Sequence, residues 1–381
     1  MTLPLKKTYV FGYILAFLFS LCLSTHAAET EKPLVIVSLG DSFSSGEGVI
    51  DENGNTFFYG QDLPFEKKVQ NADWVAHRSE KSWPAQLKLS ETQTAADLKD
   101  QNWFFAAASG ASTAHITGKQ QIYIQRNDFV GTAVLAPQIS VFDTEALQNN
   151  PPDYVTITLG GNDAGFTDII SVAATNFFSS TALPNSLNAV WDAFYAEGGI
   201  RDKIYNVYQE IHQKTNGKST ILVAGYPKLF APDGDGFLYS KNDVTLINQA
   251  VSEFNVQLNA IVEQCRQEGM DIHFISVEDA FENHGAYAQD AYINPIILSL
   301  HSEDLDETAT ASSYSVHPNQ KGAEKYAELV NAKIIELESE DAFASFLYAT
   351  CSPSETSSPV QLSLPADISL GNLLISNIKK N

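Results

Sequence analysis

The chain is poor in cysteine and in positive charge. Only three cysteines occur in 381 residues, and Cys22 sits within an N-terminal apolar run. That leaves Cys265 and Cys351. An oxidising compartment permits a bridge between them, and two separate thiols are the alternative. No Cys/His spacing suggests a zinc site, so no metal is expected. Lysine and arginine number 23 against 46 aspartates and glutamates, a formal charge of −23. Such a field repels nucleic acid and anionic membrane surfaces, so neither is expected as a partner. No internal repeat is visible, and oligomeric state has no sequence signal.

The N-terminus carries a targeting pattern. Lys6 and Lys7 precede an apolar run from Val10 to Leu23, and Thr25-His26-Ala27 ends it with small residues at both critical positions. This reads as a secretory signal peptide cut after Ala27, which places the protein outside the cell or in a periplasm. The run is shorter than the ~20 residues a membrane helix needs, so no stable membrane anchor is expected. Leu21 before Cys22 makes a poor lipoprotein site. Removal leaves about 354 residues and moves the formal charge to −25. The expected division is 1–27 signal peptide, 28–340 main domain and 341–381 C-terminal extension.

Five short apolar runs read as buried strands: 34–39, 103–107, 154–159, 220–224 and 272–277. Helical patterns lie between them at 83–89, 137–147, 200–214, 243–268 and 320–338. In the fourth, Leu246, Ala250, Val251, Phe254, Leu258, Ile261 and Val262 recur at helical spacing, which marks one core-facing side. Strands alternating with helices predict an α/β fold with a parallel sheet covered on both faces. Three segments break the rhythm. Residues 50–82 form a long, aromatic-containing stretch, and such loops are often functional. Residues 166–199 are apolar and aromatic, with Phe177, Phe178, Trp191, Phe194 and Tyr195; they read as an acyl-binding wall, a lid or ordinary packed helices. Residues 303–315 are acidic and Ser/Thr-rich. After Glu338 the pattern weakens into a Ser/Pro-rich linker at 352–359 and an apolar–polar stretch at 360–378.

The stretch Val35-Ile-Val-Ser-Leu-Gly-Asp-Ser-Phe-Ser-Ser-Gly-Glu-Gly48 begins as a strand and breaks into Gly40-Asp41-Ser42. Ligands of open α/β sheets bind at the carboxyl edge, so Ser42 is a candidate nucleophile there. Taken alone, the stretch is equally a strand followed by a Ser/Gly turn. Three further blocks resemble it in placement: Ala108-Ser109-Gly110-Ala111, Gly160-Gly161-Asn162-Asp163 and Ser315-Val316-His317-Pro318-Asn319. Their chemistry is complementary. A serine hydroxyl needs a base to accept its proton, and histidine suits that task near neutral pH. Attack on an ester carbonyl creates an oxyanion that needs fixed N–H donors. The backbone N–H groups of Ser42 and Gly110 and the side chain of Asn162 are candidates. Asp41 and Asp163 read as braces of their turns.

These four blocks resemble those of the SGNH (GDSL-type) hydrolases, with Ser42, Gly110, Asn162 and His317 in order. The wording around Ser42, with His77-Arg78-Ser79 and Ser82-Trp83-Pro84, is similar to the secreted lipase/esterase branch, and the likeness runs from about Leu34 to Leu337. The resemblance implies a flavodoxin-like three-layer α/β/α sandwich with a five-stranded parallel sheet, no cofactor, and a small-molecule or lipid ester as substrate. A carbohydrate acetylesterase and a non-catalytic binding module on the same fold are the alternatives. One position departs from the pattern. Many members carry Asp three residues before the histidine, where this chain has Tyr314. In part of the branch a backbone carbonyl holds the histidine instead, which implies Tyr314 as acceptor and a Ser–His dyad. Otherwise Asp304, Asp306 or Glu307 folds back to serve. Of the other histidines, His77 lies in a family-like segment, while His115, His212, His273, His284 and His301 read as surface or core residues. Asp233-Gly-Asp-Gly236 and Asp51-Glu-Asn-Gly-Asn55 resemble calcium loops but lack EF-hand spacing.

Overall fold

The computed structural model describes residues 32–175, 181–232, 240–298, 300 and 303–351. The expected signal peptide, the loop at 233–236, Phe177, Phe178, His301 and the segments at 352–359 and 360–378 lie outside the described residues. The chain divides into two compact units, residues 1–334 and 335–381; the sheet and the site belong to the first.

All five expected strands form, as β1 (Ile36–Gly40), β2 (Trp103–Phe105), β5 (Tyr154–Thr158), β6 (Thr220–Ala224) and β7 (Ile272–Ile275). They make one sheet in the order β2-β1-β5-β6-β7, and every pairing is parallel. Counting only these strands, the order is 2-1-3-4-5, the flavodoxin-like winding, in which the strand order reverses beside the first strand. Strands β1 and β5 are buried along their whole length. Apolar residues on both faces are packed under helices, and the Ser38, Thr156 and Thr158 hydroxyls among them are hydrogen-bonded to other side chains.

Helices flank the sheet. Ile200–Lys214 forms as expected. Lys241–Gln267 begins two residues before the expected start, where the Ser240 hydroxyl caps the Asp243 N–H and Asp243 reciprocates. Its core face holds Val244, Ile247, Ala250, Val251, Phe254, Leu258, Ile261 and Val262; Leu246, expected among them, is only half-buried. Cys265 ends that face as a free, fully buried thiol, so the bridge weighed for it is not formed. The aromatic stretch after β5 folds as two helices, Phe166–Thr175 and Ala182–Tyr195. The long segment at 50–82 folds back on the domain and contributes Phe58, Trp74 and Val75 to a buried cluster with Ala108, Ile124 and Tyr314. Within it, Asp51 accepts hydrogen bonds from Asn53 and Asn55, a self-contained turn.

Two expected helices are corrected. Residues 83–89 give a single 3-10 turn, Pro84–Gln86. Residues 137–147 give a 3-10 stretch, Gln138–Asp143, and a separate short helix, Glu145–Asn149, divided at the extended Thr144. One element was not expected at all. Strands β3 (Gln120–Arg126) and β4 (Phe129–Leu135) pair antiparallel as a hairpin. Asn127 and Asp128 form its two-residue turn, both at positive φ, the conformation that matches the twist of the strands. Ile122, Ile124, Ala133 and Leu135 pack inward. The outward face carries Gln121, Tyr123 and Gln125 opposite Val134, Thr132 and Val130.

Candidate active site

Ser42 opens a one-turn helix, Ser42–Ser45, directly after β1. Asp41 caps it by accepting from the Phe43 N–H. Gly40, at φ 124°, makes the sharp exit from the strand; a Cβ there would stand 2.4 Å from the Thr158 carbonyl oxygen, so only glycine fits. Its own amide is held by Gln138, whose side chain donates to the Gly40 carbonyl and accepts from the Gly40 N–H, both at 2.8 Å.

Asp41 is buried and takes no part in chemistry at Ser42. It accepts from Phe43 N–H, from the Thr158 hydroxyl at 2.7 Å and from the Tyr226 hydroxyl. Burial pushes its carboxyl up to about 6, against the pull of those donors. Tyr226 in turn accepts from the Gly161 N–H at 3.1 Å. Asp41 therefore links the Ser42 turn to the turn after β5. Asp163 braces the other side, accepting from the Thr113 hydroxyl and N–H.

His317 lies against Ser42, although 275 residues separate them: Nε2 is 2.7 Å from Ser42 Oγ. The other ring nitrogen, Nδ1, is 2.9 Å from the Ser315 carbonyl oxygen. A carbonyl can only accept, so Nδ1 carries the proton, and in the neutral ring Nε2 presents its lone pair to the serine hydroxyl. Burial pushes the His317 pKa below its ordinary value, outweighing the Glu47 carboxylate and the Ser315 carbonyl. The ring is thus neutral at pH 7 and competent to accept a proton.

This geometry corrects the acceptor expected from the sequence. The Tyr314 carbonyl receives the Asn294 side-chain amide at 3.1 Å; Ser315, one residue further on, orients His317. The reason is the local backbone. Val316 sits at φ 58°, and this left-handed residue turns the chain so that the carbonyl two residues before the histidine faces its ring. Asp304 instead accepts from Ser312 and Ser313, Asp306 accepts from Thr308, and Glu307 accepts from Asn127 N–H.

The three oxyanion candidates are brought to one place. Ser42, Gly110, Asn162 and His317 all line a cavity of about 490 Å³. Asn162 spends one amide proton on the Ala111 carbonyl at 2.8 Å. Its second amide proton and the N–H groups of Ser42 and Gly110 meet no acceptor among the described residues. Donors that are fixed yet unspent are what a developing oxyanion requires. The cavity wall beyond them is apolar, with Phe43, Phe166, Ile170, Leu229, Val251 and Ile296.

Two further residues hold the site: His77, which the sequence placed only in a family-like segment, and Glu47, which it did not single out. Glu47 and His77 form a buried pair, Nδ1 lying 2.8 Å from both carboxylate oxygens. Burial alone would raise the Glu47 carboxyl, but the imidazole beside it holds it at about 2. Burial likewise works against His77, and Glu47 raises it above its ordinary value. The pair is therefore ionised. Glu47 stands inside the Gly46-Glu47-Gly48 run, so its place in the motif was the available clue. Asn294, by contrast, lies in a loop with nothing to mark it. Its neighbour Gly48 packs so closely that a Cβ there would stand 2.6 Å from the His317 Cβ.

Of the remaining histidines, His115 accepts from Ser112 N–H, His273 pairs with Asp271 and His284 with Asp290. No cluster of three or more metal-ligating side chains occurs among the described residues.

Residues 36–330 match the family described as GDSL-like lipase/acylhydrolase. A lipase of Streptomyces rimosus is 24% identical over 298 residues, which is 78% of this chain and 85% of that protein. Among solved structures, the extracellular lipase of Streptomyces rimosus has a TM-score of 0.53 at 23% identity, covering 78% of this chain and 99% of its own. Phospholipase A1 of Streptomyces albidoflavus NA297 gives 0.52 at 19% identity, covering 79% and 99%. The structural likenesses show a shared fold.

Proposed function

The chain belongs to the GDSL-like lipase/acylhydrolase family and is a carboxylic ester hydrolase, and on that premise we propose that it is a secreted lipase/esterase cleaving esters of lipids or acylglycerides through a Ser42–His317 dyad. The observation that carries the reading is the 2.7 Å contact between Ser42 Oγ and His317 Nε2, inside a cavity with three unspent donors.

In the first half-reaction Ser42 Oγ attacks the acyl carbonyl carbon while its proton passes to His317 Nε2. The oxyanion is held by the N–H groups of Ser42 and Gly110 and the Asn162 amide. The tetrahedral species collapses, the bond to the alcohol oxygen breaks, and the proton on Nε2 goes to that oxygen. Water then attacks the acyl-serine, gives its proton to Nε2, and the acid leaves as Ser42 recovers its hydrogen. Throughout, Nδ1–H stays on the Ser315 carbonyl, which fixes the ring but brings no full charge to the imidazolium. The Glu47 carboxylate, which favours the protonated form of His317, supplies part of the electrostatic support that a triad carboxylate gives elsewhere.

The apolar wall around Phe166, Leu229 and Val251 favours acyl chains longer than acetyl. Initial rates on p-nitrophenyl esters from acetyl to palmitoyl, with Ser42→Ala alongside, test this. Activity peaking at medium or long chains and abolished by Ser42→Ala is expected. A peak at acetyl moves the assignment to an acetylesterase, and no rate above the Ser42→Ala background leaves a binding module on this fold. Export is supported by the Lys6 to Ala27 pattern, with 28–340 as the hydrolase domain; mass spectrometry of the exported protein should give an N-terminus at Ala28.

A further inference from the structure

Each of the three unspent donors needs something to hold its direction. Ser42 N–H belongs to the first residue of a helical turn that Asp41 caps. The Asn162 side chain is tied to the Ala111 carbonyl at 2.8 Å. Gly110 N–H belongs to the peptide group between Ser109 and Gly110, and Gly110 sits at φ 70°. Glycine tolerates either sign of φ, so this peptide group can turn over at little steric cost. Turned over, it presents the Ser109 carbonyl oxygen in place of the N–H, and a carbonyl there repels an oxyanion instead of binding it.

Gln120, the first residue of β3, meets the other end of the same peptide group. Its Nε2 lies 2.7 Å from the Ser109 carbonyl oxygen. A carbonyl only accepts, so the amide nitrogen is the end that faces it. In a trans peptide C=O and N–H point in opposite directions, so holding the carbonyl sets the direction of the N–H. The placement agrees. Ser109 and Gly110 line both the catalytic cavity and a second cavity beneath the hairpin, whereas Gln120 lines only the second. Gln120 thus stands behind the peptide group, on the side away from the substrate. Donation to the C=O also polarises that group and strengthens its N–H as a donor. Stability alone does not account for an amide here. Gln120 is buried, and its Oε1 has no hydrogen-bond partner, which is costly. An apolar side chain in line with the inward Ile122 and Ile124 avoids that cost. What the amide contributes is its one bond to Ser109.

We propose that Gln120 is a positioning residue for ester hydrolysis: through the Ser109 carbonyl it keeps the Gly110 N–H turned toward the oxyanion. This rests on the oxyanion role given to Gly110 above and deepens it by naming what holds that donor. It also gives the β3–β4 hairpin a task at the site, since β3 carries Gln120 and its pairing with Leu135 on β4 fixes where it lies. The rest of the loop is pinned from elsewhere. Arg78 donates to the Ala106 and Ala107 carbonyls, and Ser109 N–H donates to the Ala76 carbonyl. Loss of the Gln120 amide therefore frees one peptide group rather than the whole loop.

The test compares the wild type with Gln120→Met, which removes the donor at similar length, and Gln120→Asn, whose amide is one carbon too short to reach the Ser109 carbonyl. Two quantities are measured: steady-state hydrolysis of p-nitrophenyl butyrate, and inhibition by an alkyl trifluoromethyl ketone. The ketone carbonyl carbon takes up Ser42 Oγ as the serine proton passes to His317, and its oxygen becomes an oxyanion in the same place. Gln120→Met is expected to lower kcat about 10- to 100-fold, to leave KM within about twofold of the wild type, and to weaken ketone binding by the factor lost from kcat/KM. Gln120→Asn is expected to change both quantities in the same direction. A merely structural role would lower the melting temperature and leave kcat and ketone affinity of the folded protein unchanged. That result in either variant, or a loss confined to KM, overturns the proposal. Ser42→Ala on the same ester is the separate check. Wild-type turnover that survives it sinks the Ser42 reading; turnover that it abolishes, with Gln120→Met unaffected, sinks only the assignment of Gln120.

Discussion

Asn294 is tied to Gly48: its side-chain nitrogen donates to the Gly48 carbonyl at 2.8 Å, across 246 residues of chain. The same nitrogen donates to Tyr314 O, its backbone N–H donates to His317 O at 2.9 Å, and its carbonyl accepts from Val316 N–H. One buried amide thereby joins the loop that follows Ser42 to the loop that carries His317. The 2.7 Å approach of Ser42 Oγ and His317 Nε2 depends on those two loops keeping their spacing.

Asn294 is thus a positioning residue. Asn294→Leu keeps the branched shape and removes both side-chain donors, so the bonds to the Gly48 and Tyr314 carbonyls are lost, at about 1–3 kcal/mol for a buried acceptor that loses its donor. The expected result is a lower melting temperature and a kcat reduced about 10- to 100-fold, since small misplacements of reacting groups have effects of that size. KM should change little. A raised KM with unchanged kcat would place Asn294 outside this role.

Asn162→Ala removes the side-chain donor with the least effect on backbone geometry. The expected loss is in kcat, about 10²- to 10³-fold, with the thermal melt near that of the wild type apart from the lost bond to Ala111 O. Steady-state kinetics on p-nitrophenyl butyrate check it; a loss confined to KM contradicts the oxyanion role.

The pH profile follows from His317. Because the ring must be neutral to accept the Ser42 proton, activity falls as pH drops through its pKa, and burial sets that pKa below 6.5. The acid limb of kcat/KM should therefore lie below pH 6.5. A limb above 6.5 would mean that the carboxylate influence of Glu47 outweighs burial.

Glu47→Gln separates stability from catalysis. The Glu47 carboxyl, held at about 2, contributes stability that is fully present above its unfolded value of 4.5 and is lost as pH falls through the folded value. His77, raised by the same pairing, contributes below 6.5 and loses that contribution as pH rises through its folded value. Removing one partner of a buried pair costs about 3–5 kcal/mol, to be read by denaturant unfolding at pH 7. The substitution also takes away a charge that favours protonated His317, so the acid limb should move to lower pH; an unmoved limb would deny Glu47 any electrostatic reach to the base.

The parts of the fold that could be read from the sequence are those where burial writes directly into residue choice. Strands β1 and β5 are buried on both faces, so Val35 to Leu39 and Tyr154 to Leu159 hold apolar and β-branched residues with only the small hydroxyl residues Ser38, Thr156 and Thr158 among them. Ser42, Gly110, Asn162 and His317 stood out because each sits among small or turn-forming residues next to such a strand or before a helix. The same logic misread 83–89 and 137–147. There an apolar run marks burial but not period, and Pro84 and Pro137 start only tight turns, which Thr144 then interrupts. The hairpin escaped because its inward Ile122 and Ile124 and its outward Tyr123 are all apolar, which hides the alternation; the signal that remained was Asn127-Asp128, a pair suited to a two-residue turn.

The orienting acceptor was missed by a single residue for a different reason. Whether Ser315 or Tyr314 faces the ring is decided by the left-handed turn at Val316, and valine gives no hint of that conformation. Asn294 likewise acts through contacts 246 and 20 residues away, which no local pattern encodes.

The hairpin also has a bearing on how copies of this molecule behave together. Its outward face, with Tyr123 at 51%, Val130 at 65% and Val134 at 54% exposure, carries no charge of its own. The 125–126 end of β3 is covered by the bridge from Gln125 to Asp306, while β4 has no second neighbour among the described strands. An open edge with β-branched residues is a template for self-pairing. What opposes it is the excess of negative charge over the whole chain, −23, acting as a mutual repulsion that shortens from a range of about 10 Å at 0.1 M salt to about 3 Å at 1 M. Colloidal stability in this protein is therefore a property of its solvent as much as of its fold: dilute salt keeps the ribbons apart, and brine brings them within reach of one another.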